Sequence, residues 1–141
     1  MTLVRVLGLD VGERRIGIAL SDALGLTAQR LMVLERRTPT EDTEAIARLA
    51  VDHGAERIVV GLPLTMRGQT GPQAQKVQAF VRRLQEHAAI PVEWIDERLT
   101  TVQGERSLRE TGTSGRKRKQ VIDQVAAQLI LQQYLDAKRS A

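Results

Sequence analysis

The chain has 141 residues, carries 21 lysines and arginines against 17 aspartates and glutamates, and contains no cysteine. Its length suits one well-covered core, so a single domain over residues 1–141 is expected. The missing cysteines exclude disulfides and zinc–thiolate centres, and with two histidines only, His53 and His87, a metal site has to be built mainly from oxygen ligands, which favours Mg²⁺ or Mn²⁺.

In chain order, residues 3–10 and 15–22 read as two strands joined by "VGER", and residues 25–34 add a third antiparallel strand after Gly25. "TPTE" at Thr38–Glu41 combines a capping threonine, a proline at the first helical position and a glutamate three residues after the cap. It predicts a helix from Pro39 to His53 that stops at Gly54. "RIVVGLP" (57–63) is a β-branched run without alternation, as expected of a central strand covered on both faces. A second helix follows from Pro72 to His87 and a further strand at 92–96, so strand, helix and strand form a right-handed crossover. A helix capped near Thr100 is expected next, then a mobile loop at 111–119, then a helix over 120–135. No apolar stretch approaches membrane-spanning length and no leader pattern opens the chain, so a cytoplasmic protein without membrane contact is expected.

Asp10 closes the first strand, in "LGLDVG". A carboxylate beside a buried sheet needs water, a hydrogen-bond donor or a cation. In open sheets ligands bind beyond the carboxyl ends of the parallel strands, and Asp96 and Glu97 end the last strand. If the first and last strands are parallel neighbours, Asp10 and Glu97 share one crevice. Asp123, near the start of the terminal helix, borders the packing face formed with Ala126, Ala127 and Ile130. Each acid has an ordinary structural explanation taken alone: a hydrated turn for Asp10, an arginine partner for Glu97, the positive end of a helix for Asp123. Three such acids together repel one another, and a divalent cation is the usual relief. Asp22 and Asp96 are read as turn and cap residues. Trp94 is expected to pack beside the last strand.

The net charge of +4 favours an acidic partner. Arg14, Arg15, Arg67, Arg98 and the run Arg116, Lys117, Arg118 and Lys119 are the candidate contacts to nucleic-acid phosphates, although a charge run is ordinarily a solvated surface. Aromatic residues are scarce, so backbone contact is expected over base stacking. "GLPLTMRGQTG" fits a phosphate at a helix N-terminus and a capped surface loop equally well. Gly8, Gly12 and Gly17 around Asp10 allow close approach of a backbone or a phosphate, while turns and strand packing are the commoner reason for glycine.

"GLDVGERRIGIALSD", "VVGLPLTMRGQTGPQAQKV", "IDERLTT" and "VIDQVAAQLILQQYL" together resemble the successive motifs of the YqgF/RuvX family, the bacterial pre-16S rRNA nucleases, also described as Holliday-junction-resolvase-like. The resemblance runs from Leu7 to Leu135. It implies an α/β, ribonuclease-H-like fold: a five-stranded mixed sheet with three antiparallel strands, then parallel strands, and helices on both faces. It also implies that the family's three acids fall on Asp10, Glu97 and Asp123. Gly104 and Arg67 depart from the common family pattern.

The expected activity is metal-dependent phosphodiester hydrolysis, with Asp10, Glu97 and Asp123 as catalytic residues and ligands of Mg²⁺ or Mn²⁺. The expected role is processing of the 5′ end of pre-16S rRNA in ribosome biogenesis. The alternative is resolution of branched DNA, which calls for two sites and hence a homodimer. A nucleic-acid-binding assembly factor without turnover is a further alternative. An actin-like ATP-dependent phosphotransferase needs two such domains, and this chain has room for one.

Overall fold

The first three apolar segments build the expected meander, in a computed structural model that describes residues 4–65, 67–97 and 116–140. β1 (Arg5–Val11) pairs antiparallel with β2 (Arg15–Ser21), and β2 pairs antiparallel with β3 (Ala28–Glu35). The β1–β2 turn closes through a bond from Gly12 N–H to Arg15 O at 2.9 Å. Asp22 fulfils the turn role expected of it. Its carboxylate accepts from Leu26 N–H at 2.8 Å, and this backbone bond is the main cause that lowers its pKa.

α1 (Pro39–Asp52) starts where the capping pattern placed it: Thr38 Oγ1 accepts from Glu41 N–H at 3.1 Å. Gly54, at φ +65°, ends it in the left-handed region that glycine tolerates. β4 (Ala55–Leu62) then returns parallel to β1, α2 (Pro72–His87) crosses over, and β5 (Val92–Asp96) lies parallel to β4. The sheet order is β3-β2-β1-β4-β5. β4 therefore separates β1 from β5, which corrects the expectation that those two strands are neighbours. The apolar run of β4, buried on both faces, is interior as expected, while β1 takes the central place.

α3 (Arg116–Ser140) begins upstream of the expected start. The basic run 116–119 is helical backbone, so the loop expected over 111–119 is corrected for these four residues; lysine and arginine are good helix formers and prolong the helix. The helix expected near Thr100 lies outside the described residues.

α1 and α2 cover one face of the sheet, and α3 covers the other. On the first face Leu7, Leu9, Ile16, Ile18, Ile58 and Val60 pack against Ile46, Val77, Phe80 and Leu84. On the second, Val6, Ala19 and Val59 pack against Ala127, Leu131, Tyr134 and Leu135. His87 Nδ1 and Thr43 Oγ1, 3.0 Å apart, tie α2 to α1, while His53 is the C-cap of α1. Trp94 stands about half exposed on the edge strand β5, so it is less covered than its expected packing role required.

At the end of the sheet remote from Asp10, Tyr134 of α3 joins β4 to β5. Its hydroxyl donates to Glu93 Oε1 at 2.8 Å and accepts from Arg57 Nη1 at 2.7 Å, and Arg57 Nη1 also donates to Glu93 at 3.0 Å. Burial is the main cause that raises the phenol pKa. Tyr134→Phe removes both bonds and is expected to cost about 1–2 kcal/mol in urea unfolding. Because the folded-state pKa of Tyr134 is raised, its contribution is fully present below the unfolded value near 10 and fades as pH rises further. The stability gap between wild type and the phenylalanine variant is therefore expected to narrow above about pH 10.

Candidate active site

α3 lies against the sheet on a track of glycines. An ideal Cβ on Gly8 of β1 would stand 2.7 Å from Leu131 Cβ, and one on Gly17 of β2 would stand 2.0 Å from the backbone oxygen of Asp123. On Gly61 of β4 it would meet Glu97 Oε2 and Ile130 Cδ1, each at 2.5 Å. Side chains alternate along a strand, so Gly8 and Asp10 of β1 share this α3 face. Asp10 is the direct partner of Gly17. On its other side, Leu9 pairs with Val60, which puts Asp10 beside Gly61 one step further along the parallel ladder.

Asp10 thus stands between two strand positions that carry no side chain. The space over Gly17 is taken by the backbone of Asp123, and the space over Gly61 by the carboxylate of Glu97. Neighbouring strands are roughly 4.8 Å apart, so each of these acids is anchored about one strand from Asp10. Glu97 follows β5 directly and its N–H donates to Leu62 O at 3.3 Å, which fixes it to the end of β4. The side chains sought at the carboxyl end of the parallel strands do lie on one face there.

All three are buried, at 2 % exposure for Asp10, 0 % for Glu97 and 5 % for Asp123. Buried like charges are costly, and a nearby cation offsets the cost. One such cation is a side chain: Arg15 Nε donates to Asp123 Oδ2 at 2.8 Å. Arg15, a candidate phosphate contact, pairs in the structure with one of the acids. Asp123 sits about two turns inside α3 rather than in its first turn, so the attraction of a helix start does not account for it.

The other expected basic residues are less gathered. Arg14 is exposed in the β1–β2 turn and Arg67 is exposed in the β4–α2 loop, both at the same end of the sheet as Asp10. Arg98 lies outside the described residues, and for Arg116, Lys117, Arg118 and Lys119 only the helical backbone is described. Sequence reading did not single out Gly61, which looks like an ordinary member of an apolar strand. It also missed the buried Asp42 on the opposite face, which accepts from Arg36 Nε at 3.1 Å and Arg37 N–H at 2.9 Å and so serves the start of α1.

The donors suit a hard divalent cation, being carboxylate oxygens without histidine or cysteine. The glycines at 17 and 61 keep the surroundings of Asp10 clear of β-carbons. Yet among the described residues no group of three or more histidine, cysteine, aspartate or glutamate side chains stands ready to hold a metal ion. The chemistry of the donors fits such an ion.

Among the described residues, a five-stranded mixed sheet of this order, with two helices on one face and one on the other, defines a ribonuclease-H-like fold. The structure of Thermus thermophilus RuvC in complex with a Holliday junction substrate matches with a TM-score of 0.58 at 16 % identity, over 96 % of each chain. The fowlpox virus resolvase in complex with Holliday junction DNA matches with a TM-score of 0.53 at 12 % identity, over 96 % of this chain and 99 % of that one. Residues 4–137 match the family model RuvX, described as Holliday junction resolvase, and the chain belongs to that family. It is 53 % identical over 133 residues to the "Putative pre-16S rRNA nuclease" of Moorella thermoacetica, covering 94 % of this chain and 95 % of that one. The protein of the same name from Chloroflexus aggregans is 52 % identical over 135 residues, covering 96 % and 95 %.

Gly61→Ala tests the geometry. Its Cβ would meet the buried Glu97 carboxylate and two atoms of the buried, β-branched Ile130, so a cost of about 1–3 kcal/mol in unfolding free energy is expected. Displacement of the Glu97 carboxylate is expected to lower any cleavage rate by about tenfold or more in a single-turnover assay.

Proposed function

We propose that this protein is a metal-dependent nuclease that hydrolyses phosphodiester bonds in structured nucleic acid, and that it acts in the cytoplasm on the 5′ end of pre-16S rRNA. One observation carries the reading. Three acids from distant parts of the chain lie buried on one face, at one end of the sheet, in a protein half identical to relatives named for this nuclease.

In the reaction we assign, Asp10, Glu97 and Asp123 hold Mg²⁺ or Mn²⁺, whose chemistry when bound is to acidify an attacking water and to stabilise the departing oxygen. Asp10 supplies the central carboxylate, flanked by strands that leave room on either side. Glu97 is held by the end of β4 and brings its carboxylate over Gly61. The buried position of all three keeps bulk water from competing for their lone pairs. Arg14, Arg67, Arg98 and the run Arg116–Lys119 bind phosphates of the nucleic-acid backbone, and such contacts carry little base information, so sequence preference is weak.

The description of the family model favours one second reading, cleavage of four-way DNA junctions by a homodimer. Precursor rRNA, a four-way DNA junction and an unstructured strand offered in parallel to wild type and Asp10→Asn separate the two. Cleavage of the precursor RNA is expected, to be lost with EDTA and lowered by about 100-fold or more in Asp10→Asn. Symmetric cleavage of the junction alone selects the resolvase reading. Metal-independent binding without cleavage of any substrate selects a non-catalytic assembly factor.

A further inference from the structure

Asp123 is held by a cation that belongs to the chain itself. The Arg15 Nε to Asp123 Oδ2 distance is 2.8 Å, with the two side chains 19 % and 7 % exposed, so the pair is largely withdrawn from solvent screening. A guanidinium is charged at every accessible pH and an ion pair of this length is among the stronger hydrogen bonds. Arg15 and Gly17 lie two residues apart on the same face of β2, and Gly17 is the position against which the Asp123 backbone is pressed. The pair is therefore built into the α3–sheet contact that also carries Asp10.

We infer that Arg15 is a resident counter-ion that competes with a divalent cation for Asp123, and that it has to release this carboxylate before the ion is fully held. The inference rests on the metal-dependent reading above. It accounts for a guanidinium held 2.8 Å from a carboxylate that shares one face with two further buried acids. In the absence of a metal, Arg15 lowers the repulsion among the buried carboxylates. With a metal bound, its positive charge opposes that ion. Arg15 is thus a positioning residue that sets the affinity for the cation, in place of the phosphate contact expected from its sequence neighbours.

Mn²⁺ binding to wild type, Arg15→Gln and Arg15→Lys, followed by the electron paramagnetic resonance signal of the free ion, tests this without reference to turnover. Removing a positive charge a few ångströms from a divalent site is expected to tighten Mn²⁺ binding by about tenfold or more in Arg15→Gln, and to leave Arg15→Lys within about threefold of wild type. A purely structural role predicts the reverse, weaker binding in Arg15→Gln. Unchanged or weaker binding in that variant overturns the inference while leaving metal dependence intact. Absence of Mn²⁺ binding in all three proteins overturns both. Should Arg15→Gln fail to fold, the wild-type protein still decides: the Arg15 Nε–H resonance is expected to shift and exchange faster with water as Mg²⁺ is added. A resonance unmoved at saturation overturns the proposal.

Discussion

The close seating of α3 on the sheet is the constraint from which the rest follows. A helix that presses its backbone onto β2 at Gly17 and its side chains onto Gly8 and Gly61 requires those three strands to present hydrogen where other positions present carbon. Ala127 and Ala126 make the matching concession from the helix side, both fully buried. This tight seam brings residue 123 to the same surface as residue 10. A looser packing of larger side chains would bury as much apolar area and hold the two apart.

The seam carries charge as well as apolar contact. Below Tyr134 and Leu135 it is sealed by hydrophobic packing and by the Arg57–Glu93–Tyr134 network. Towards the carboxyl ends of β1 and β4 it gives way to carboxylates, with Arg15 as an internal counter-charge. The two ends of the seam thus differ in character, apolar at one and charged at the other. The opposite face carries a buried acid of its own. There the buried Asp42 accepts from Arg36 Nε and from Arg37 N–H, and Arg36 also donates to Gly12 O and lies over the Phe80 ring.

Much of this was legible in the sequence because the signals were local. Apolar runs and β-branching marked the strands, Thr38 and Pro39 marked the start of α1, and Gly54 its end. Asp10, Glu97 and Asp123 stood out because each interrupts or borders an apolar run. The relations among them were not local and could not be read in the same way. Nothing in "RIVVGLP" announces that β4 separates β1 from β5, or that Gly61 lies under a carboxylate from a later strand. The Arg15–Asp123 pair spans 108 positions, and its arginine sits among other arginines that look alike. The run at 116–119 was ambiguous for a different reason, since lysine and arginine suit a helix and a solvated loop equally.

The order in which these parts meet during folding has a consequence of its own. The β1–β2–β3 meander uses short-range pairings, whereas the docking of α3 closes loops as long as the 108 positions between Arg15 and Asp123 and carries the larger loop-closure cost. A partly folded molecule holding the meander alone displays Asp10 with neither companion beside it. On the proposed function, such a molecule would lack the assembled site.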